Sequence, residues 1–123
     1  MRCFCPRVLA VKHRICKYRD YSRRPFPAGY FLALHGGEFV GTSQLFRSPR
    51  RGELRTGLTA VSRTHRRRGI AFGLKAHALK LAKELGYQRV ITDNAAENEG
   101  MLAINRALGF VRNPAWVRYV KSF

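Results

Sequence analysis

The chain has 123 residues, of which 46% are hydrophobic and 11% aromatic, enough for one folded domain with a core and too few for two. Its 24 basic and 7 acidic side chains leave a formal charge of +17, which implies attraction to a polyanion: nucleic acid, a ribosome or a phosphorylated cofactor. Composition excludes an intrinsically disordered chain, and the absence of any apolar run near ~18 residues excludes a membrane partner through a spanning helix.

The positive charge is concentrated toward the start. Residues 1–68 carry a net +13 and residues 69–123 a net +4. Residues 1–28 read as an irregular basic segment, with Val8 to Val11 at most one short strand or helical turn. Pro25 and Pro27 argue against helix and central strand there. The opening Met1-Arg2-Cys3-Phe4-Cys5-Pro6 has no apolar centre of a secretory signal, so a cytoplasmic setting is expected. Cys3, Cys5, His13 and Cys16 form C-x-C-x7-H-x-x-C. That spacing is tighter than structural zinc sites use, which favours free thiols and no metal.

Residues 29–123 read as one domain. Tyr30 to Leu34, a His35-Gly36-Gly37 turn and Glu38 to Phe46 predict a hairpin. Glu53 to Val61 predicts a third strand. A regular pleat would put Glu53, Arg55, Gly57, Thr59 and Val61 on one side of it. Apolar spacing predicts a helix from Ile70 to Leu85, with Ile70, Leu74, Ala78, Leu81 and Leu85 inward and Lys75, Lys80 and Lys83 off that stripe. A short strand from Arg89 to Asp93 follows. Asn98 caps a second helix that ends at Ala107, and Trp116 to Val120 forms a last strand. The order ββ–β–α–β–α–β predicts an α/β (α+β) fold, a sheet covered by two helices.

Between the third strand and the first helix lies His65-Arg66-Arg67-Arg68-Gly69-Ile70-Ala71. A strand that turns through arginine and glycine into a helix is suited to phosphate, because backbone N–H groups, the positive dipole end and fixed charge converge there. The Arg-x-x-Gly-x-Ala spacing is neither a dinucleotide fingerprint nor a Walker loop. Downstream come Thr92-Asp93-Asn94 and Asn98-x-x-Met101-Leu102-x-Ile104-Asn105-x-x-Leu108-Gly109-Phe110. Jointly, and in this order, these segments resemble the GNAT N-acetyltransferase superfamily over roughly residues 29–123.

The resemblance implies a mixed, mostly antiparallel sheet and direct transfer of acetyl from acetyl-CoA to a small-molecule or peptide amine. It implies that the backbone of Val61, Ser62 and Arg63 pairs with the pantetheine arm where the central strand splays. The amides of Arg66, Arg67, Arg68, Gly69, Ile70 and Ala71 would cradle the pyrophosphate, and Asn94 and Asn98 would contact the cofactor. Many members place a tyrosine as general acid where this chain has Asn105. Glu53 is the candidate base, with His35, His65, His77 and Asp93 as competitors, and His65 is read as positional. The family's first strand and two helices do not fit within residues 1–28, so the domain is expected to be shortened at its start. A homodimer and non-specific polyanion binding are further expectations. The alternatives are a basic nucleic-acid or ribosome-associated module and an inactive GNAT remnant.

Overall fold

The computed structural model describes residues 7–10, 24–114 and 119–123, with backbone alone for 7–10 and for Arg24 and Pro25. Five strands form one sheet in the order β1-β2-β3-β4-β5: β1 (Arg7–Ala10), β2 (Arg24–His35), β3 (Glu38–Arg47), β4 (Glu53–Val61) and β5 (Arg89–Ile91). The first four are successively antiparallel, while β5 pairs parallel to β4. That change of direction is made possible by helix α1 (Ile70–Glu84), which carries the chain back along the sheet. Helix α2 (Glu99–Ala107) follows β5. The cysteine and His13 set, and the start of the expected final strand at Trp116, lie outside the described residues. Tyr119 and Val120 are not in a strand.

The expected hairpin, third strand and both helices are present, but order starts earlier than Gly29. Strand β2 begins at Arg24 and runs through both prolines. Two features reconcile this with proline chemistry. Strand β1 reaches only Phe31 to Leu34, so among the described residues the proline stretch pairs with β3 alone, and the register slips between Pro25 and Tyr30. A missing N–H is tolerated at such an edge. Phe26, between the prolines, is buried and meets the Tyr87 ring edge-on at 5.9 Å, which anchors the segment.

The core lies between the sheet and α1. Phe31, Ala33, Leu45 and Leu54 from the strands bury against Ile70, Leu74, Ala78 and Ala82. Close approach is visible at Gly41, where an added Cβ would lie 3.2 Å from both Ile70 and Leu74 side-chain carbons. The stripe departs from expectation at two places. Leu85 is exposed, and Lys75 is buried to 2% exposure in a row with Ala71, Ala78 and Ala82. Among the described residues, no helix is long and apolar enough to cross a membrane.

The pleat of β4 is not regular. Ser43 pairs with Thr59 and Leu45 with Thr56, so two steps on β3 face three on β4. An extra residue at a bulge reverses the alternation beyond it. Leu54, Thr56, Thr59 and Val61 therefore share the side that faces α1, and Glu53 and Arg55 lie on the other. The bond between Ser43 Oγ and Thr59 Oγ1 at 2.9 Å fits this assignment. The expectation that Glu53 and Val61 share a side is thus corrected. Gly57 lies inside the bulge, where a Cβ would come within 2.2 Å of the Phe46 ring.

Candidate active site

Strands β4 and β5 are paired only at Glu53–Arg89, Leu54–Val90 and Arg55–Ile91. From Thr56 onward β4 has no neighbour on that side among the described residues, so the sheet forks. The open edge of β4 leads to Val61, a short 3-10 turn at Arg63–His65 and then α1. An unpaired strand edge that ends at a helix N-terminus offers an extended ligand a row of backbone groups and, at its end, an anion site.

The loop conformation suits that role. Arg67 has φ +60 and Gly69 φ +77, so left-handed residues alternate along the turn and gather N–H groups into a concavity. For an arginine this region is strained; for glycine it is free. Gly69 is the N-cap of α1 and supplies no side-chain cap. The first-turn amides therefore lack the usual partner, and a Cβ on Gly69 would meet nothing within 4 Å. Arg63, Arg67 and Arg68 are exposed around this turn, and Arg66 donates from Nε to the Val61 carbonyl at 3.3 Å. Ser62 is tied down from both directions. Its amide donates to Val40 O at 2.8 Å, and its hydroxyl lies 3.1 Å from His65 Nδ1. His65 Nε2 in turn shares a hydrogen bond with His35 Nδ1 at 2.9 Å, which links the loop to the hairpin end. Ile70 is core and Ala71 half-buried, so both contribute through their backbone.

The base of the fork holds a second cluster. Thr56 Oγ1 donates to Thr92 Oγ1 at 2.7 Å, across the point where the strands part. Lys75 Nζ donates to the same oxygen at 3.4 Å and lies 5.3 Å from the centre of the Phe110 ring. Thr92 donates onward to Asn94 Oδ1 at 3.4 Å, and Asn105 Nδ2 donates to that oxygen at 2.6 Å. Asn105 is 6% exposed, and its own Oδ1 is buried with no donor among the described residues. Burial pushes the Lys75 ammonium down from 10.5 to about 8.

The structure thus brings Val61, Ser62, Arg66 and the loop amides together, and unites Asn94 with Asn105. Asn98 is occupied elsewhere: its Oδ1 accepts from Met101 N at 3.2 Å as the cap of α2. Glu53 is not brought to the fork's open end. It lies eight residues from Val61, roughly 25 Å along the strand at about 3.3 Å per residue. There it accepts from Ser48 Oγ at 2.6 Å, faces Arg89 Nε at 3.9 Å, and is buried rather than solvated. Asp93 is bound to Arg55 at 2.6 Å. His77 bonds to the Gly73 carbonyl of its own helix at 2.9 Å.

Sequence reasoning placed Lys75 off the inward stripe of its helix and gave neither Lys75 nor Thr56 a place in the site. The available signal was the row Ala71, Lys75, Ala78, Ala82, whose small residues mark a closely packed face. Two clefts of about 310 and 370 Å³ lie at the opposite end of the sheet, near Tyr87 and Gln88, and neither includes a residue of the loop.

A forked sheet with an uncapped, arginine-ringed helix start matches known proteins in both sequence and shape. The sequence profile of the acetyltransferase (GNAT) family matches residues 3–110. The chain belongs to the GNAT family. The match starts well before residue 29, so the N-terminal segment takes part in the family likeness. This GNAT chain is 34% identical over 106 residues to the N-alpha-acetyltransferase MAK3 of Arabidopsis thaliana, covering 85% of this chain and 55% of that protein. It is 28% identical over 109 residues to the N-alpha-acetyltransferase 30 of Schizosaccharomyces pombe, covering 83% of this chain and 73% of that one. It therefore spans little more than half the length of the plant relative. In shape it resembles AAC(6')-Iy in complex with the bisubstrate analog CoA-S-monomethyl-acetylneamine, at a TM-score of 0.64 and 22% identity over 76% of this chain and 69% of that one. The mixed, mostly antiparallel sheet with two helices is the GNAT arrangement.

Proposed function

We propose that this GNAT chain transfers acetyl from acetyl-CoA directly to an amine, with the α-amino group of a peptide as the acceptor class. One observation carries the reading: the open edge of β4 leads, through the short turn at Arg63–His65, to an uncapped helix start at Gly69 ringed by arginines. An extended arm that ends in a pyrophosphate fits that sequence of groups. The amides from Arg67 to Ala71 would hold the phosphates, with Arg63, Arg66, Arg67 and Arg68 adding charge. The backbone of Val61 and Arg63 would pair with pantetheine, with Ser62 between them held by its amide to Val40. The orphaned Oδ1 of Asn105 suits an amide N–H of the same arm. The names of the plant and yeast relatives support a peptide amine over a small-molecule one.

The amine must be neutral to attack the thioester carbonyl, and solvent takes its proton in this reading. Asn105 holds Asn94 and has no proton to give at useful cost, so departure of the CoA sulfur needs another source of help. We place Asn98 in the helix cap and Glu53 in the closed end of the sheet, with no step assigned to either. His65 positions Ser62. A cytoplasmic setting, a domain that occupies residues 29–123 with its N-terminal extension, and salt-sensitive polyanion binding by the arginine-rich surface belong to the same proposal. So does a homodimer, which native mass spectrometry would read directly.

Incubation of purified protein with labelled acetyl-CoA and an acceptor panel tests the reading. Thiol release that requires a peptide with a free N-terminus, and disappears when that terminus is blocked, is the expected result. Release with an aminoglycoside alone would move the acceptor class. Saturable acetyl-CoA binding without turnover on any amine would point to the inactive remnant.

A further inference from the structure

A lysine in the interior of a helix–sheet interface is costly unless something opposes its charge. Lys75 is 2% exposed, and no carboxylate pairs with it among the described residues. Its surroundings are a threonine hydroxyl and an aromatic face. Both tolerate an ammonium, and neither neutralises it. The charged side chains adjoining the cluster in sequence, Arg55 and Asp93, bind each other at 2.6 Å. Arg55 also projects to the opposite side of β4. Among the described residues the cluster therefore carries an uncompensated positive charge at the point where the strands part.

Its hydrogen bonds all run one way. Lys75 and Thr56 both donate to Thr92, and Thr92 and Asn105 both donate to Asn94. The Thr92-to-Asn94 link is 3.4 Å, a weak bond that the hydroxyl gives up readily to a stronger acceptor. Thr92 can then point its proton toward negative charge in the fork while Lys75 and Thr56 polarise its oxygen from behind. Such an arrangement is pre-organised for an anion that appears only during reaction.

We propose that Lys75 is a positioning residue for acetyl transfer, acting through Thr92 to steady the thiolate of the departing CoA. The inference rests on the acetyl-transfer reading above and adds to it a residue and a charge. In the step itself, the amine nitrogen bonds to the thioester carbonyl carbon and the carbon–sulfur bond breaks. The electron pair of that bond stays on sulfur. The Thr92 hydroxyl donates a hydrogen bond to that sulfur, while the Lys75 ammonium, bonded to the Thr92 oxygen, opposes its charge. Solvent receives the proton lost by the amine and CoA leaves as the thiolate, so charge and atoms balance.

Calorimetric titration of CoA and of acetyl-CoA from pH 6 to pH 8 tests the charge without needing the acceptor. Free thiol and thioester differ only at sulfur, so the ratio of their dissociation constants cancels any general loss of cofactor affinity. In the wild type the preference for CoA should grow by roughly tenfold over that range, as thiolate forms opposite the ammonium. Lys75→Arg should keep the growth and Lys75→Met should abolish it. Growth that persists in Lys75→Met overturns the proposal. Should Lys75→Met not fold, the wild type alone decides, because a flat ratio also overturns it. Failure of the wild type to bind either compound would instead overturn the acetyl-transfer reading, an outcome distinct from a flat ratio.

Discussion

The two ends of strand β4 are made of similar residues and do opposite work. At the Glu53 end the strand is flanked by β3 and β5, Leu54 is fully buried, and the one acidic side chain is enclosed by Ser48 and Arg89. At the Val61 end one edge is unpaired among the described residues, the strand is half-exposed, and the following turn holds an arginine in the left-handed region. Stability is concentrated where both edges are paired, and the proposed binding capacity where one is not. Strain at Arg67 is tolerable because the paired end and the α1 interface hold the frame.

The largest expected effect breaks the closed end. Leu54→Ala should cost about 3 kcal/mol through lost burial and the cavity left behind, read as a fall in the chemical-denaturation midpoint. The slope of acetyl-CoA binding against pH should be unaffected, since the open end is built from other residues. If Leu54→Ala left stability intact, the division of labour along β4 would be wrong.

Next in size is the reverse experiment at the open end. Arg66→Glu with Gly69→Asp puts two negative charges in the anion site and strains the N-cap. Acetyl-CoA affinity should fall by about 100-fold or more, and the cofactor-induced rise in melting temperature should vanish. The ligand-free melting temperature should shift by only a few degrees. A pair of substitutions that left the thermal shift in place would remove the loop from the binding site.

Lys75 separates stability from function in one residue. Its ammonium is destabilised by burial, so the folded pKa is about 8 against 10.5 unfolded. Between these values the unfolded chain binds more protons, and stability rises with pH as the buried charge is relieved. Below pH 8 the full cost is present. Lys75→Met should therefore stabilise the protein by roughly 1–3 kcal/mol at pH 7, with a gain that shrinks as pH climbs above 8. Urea melts at three pH values would show it. A gain that grew with pH would mean that the lysine is not buried in its charged form.

The smallest effect sharpens the boundary of the site. Asn98→Ala should cost about 1 kcal/mol as a lost helix cap, and acetyl-CoA affinity should change less than threefold. A large loss of affinity would return Asn98 to the cofactor.

Much of this protein was legible in its sequence because much of it is local. Alternating residues around Gly36-Gly37 specify the hairpin, and the apolar repeat from Ile70 to Ala82 specifies a helix. Asn98 caps by its own side chain, and the Arg-x-x-Gly-x-Ala turn carries its conformation in its glycine and its position before a helix. Each of these signals acts over a few residues. The features that sequence reading placed differently depend on partners far along the chain. The bulge in β4 exists only in register with β3, yet it decides which side Glu53 faces. Strand structure through Pro25 and Pro27 needs a free edge and the Tyr87 ring. Lys75 reads as a surface lysine on its own helix, and becomes an interior charge only when β5 and Phe110 close over it. The sequence by itself determined the hairpin, the third strand, both helices and the phosphate-suited turn, because backbone propensity and capping are short-range. Tertiary structure decided where the sheet forks and which charge lies at its base, because pairing and burial are set by what arrives from elsewhere in the fold.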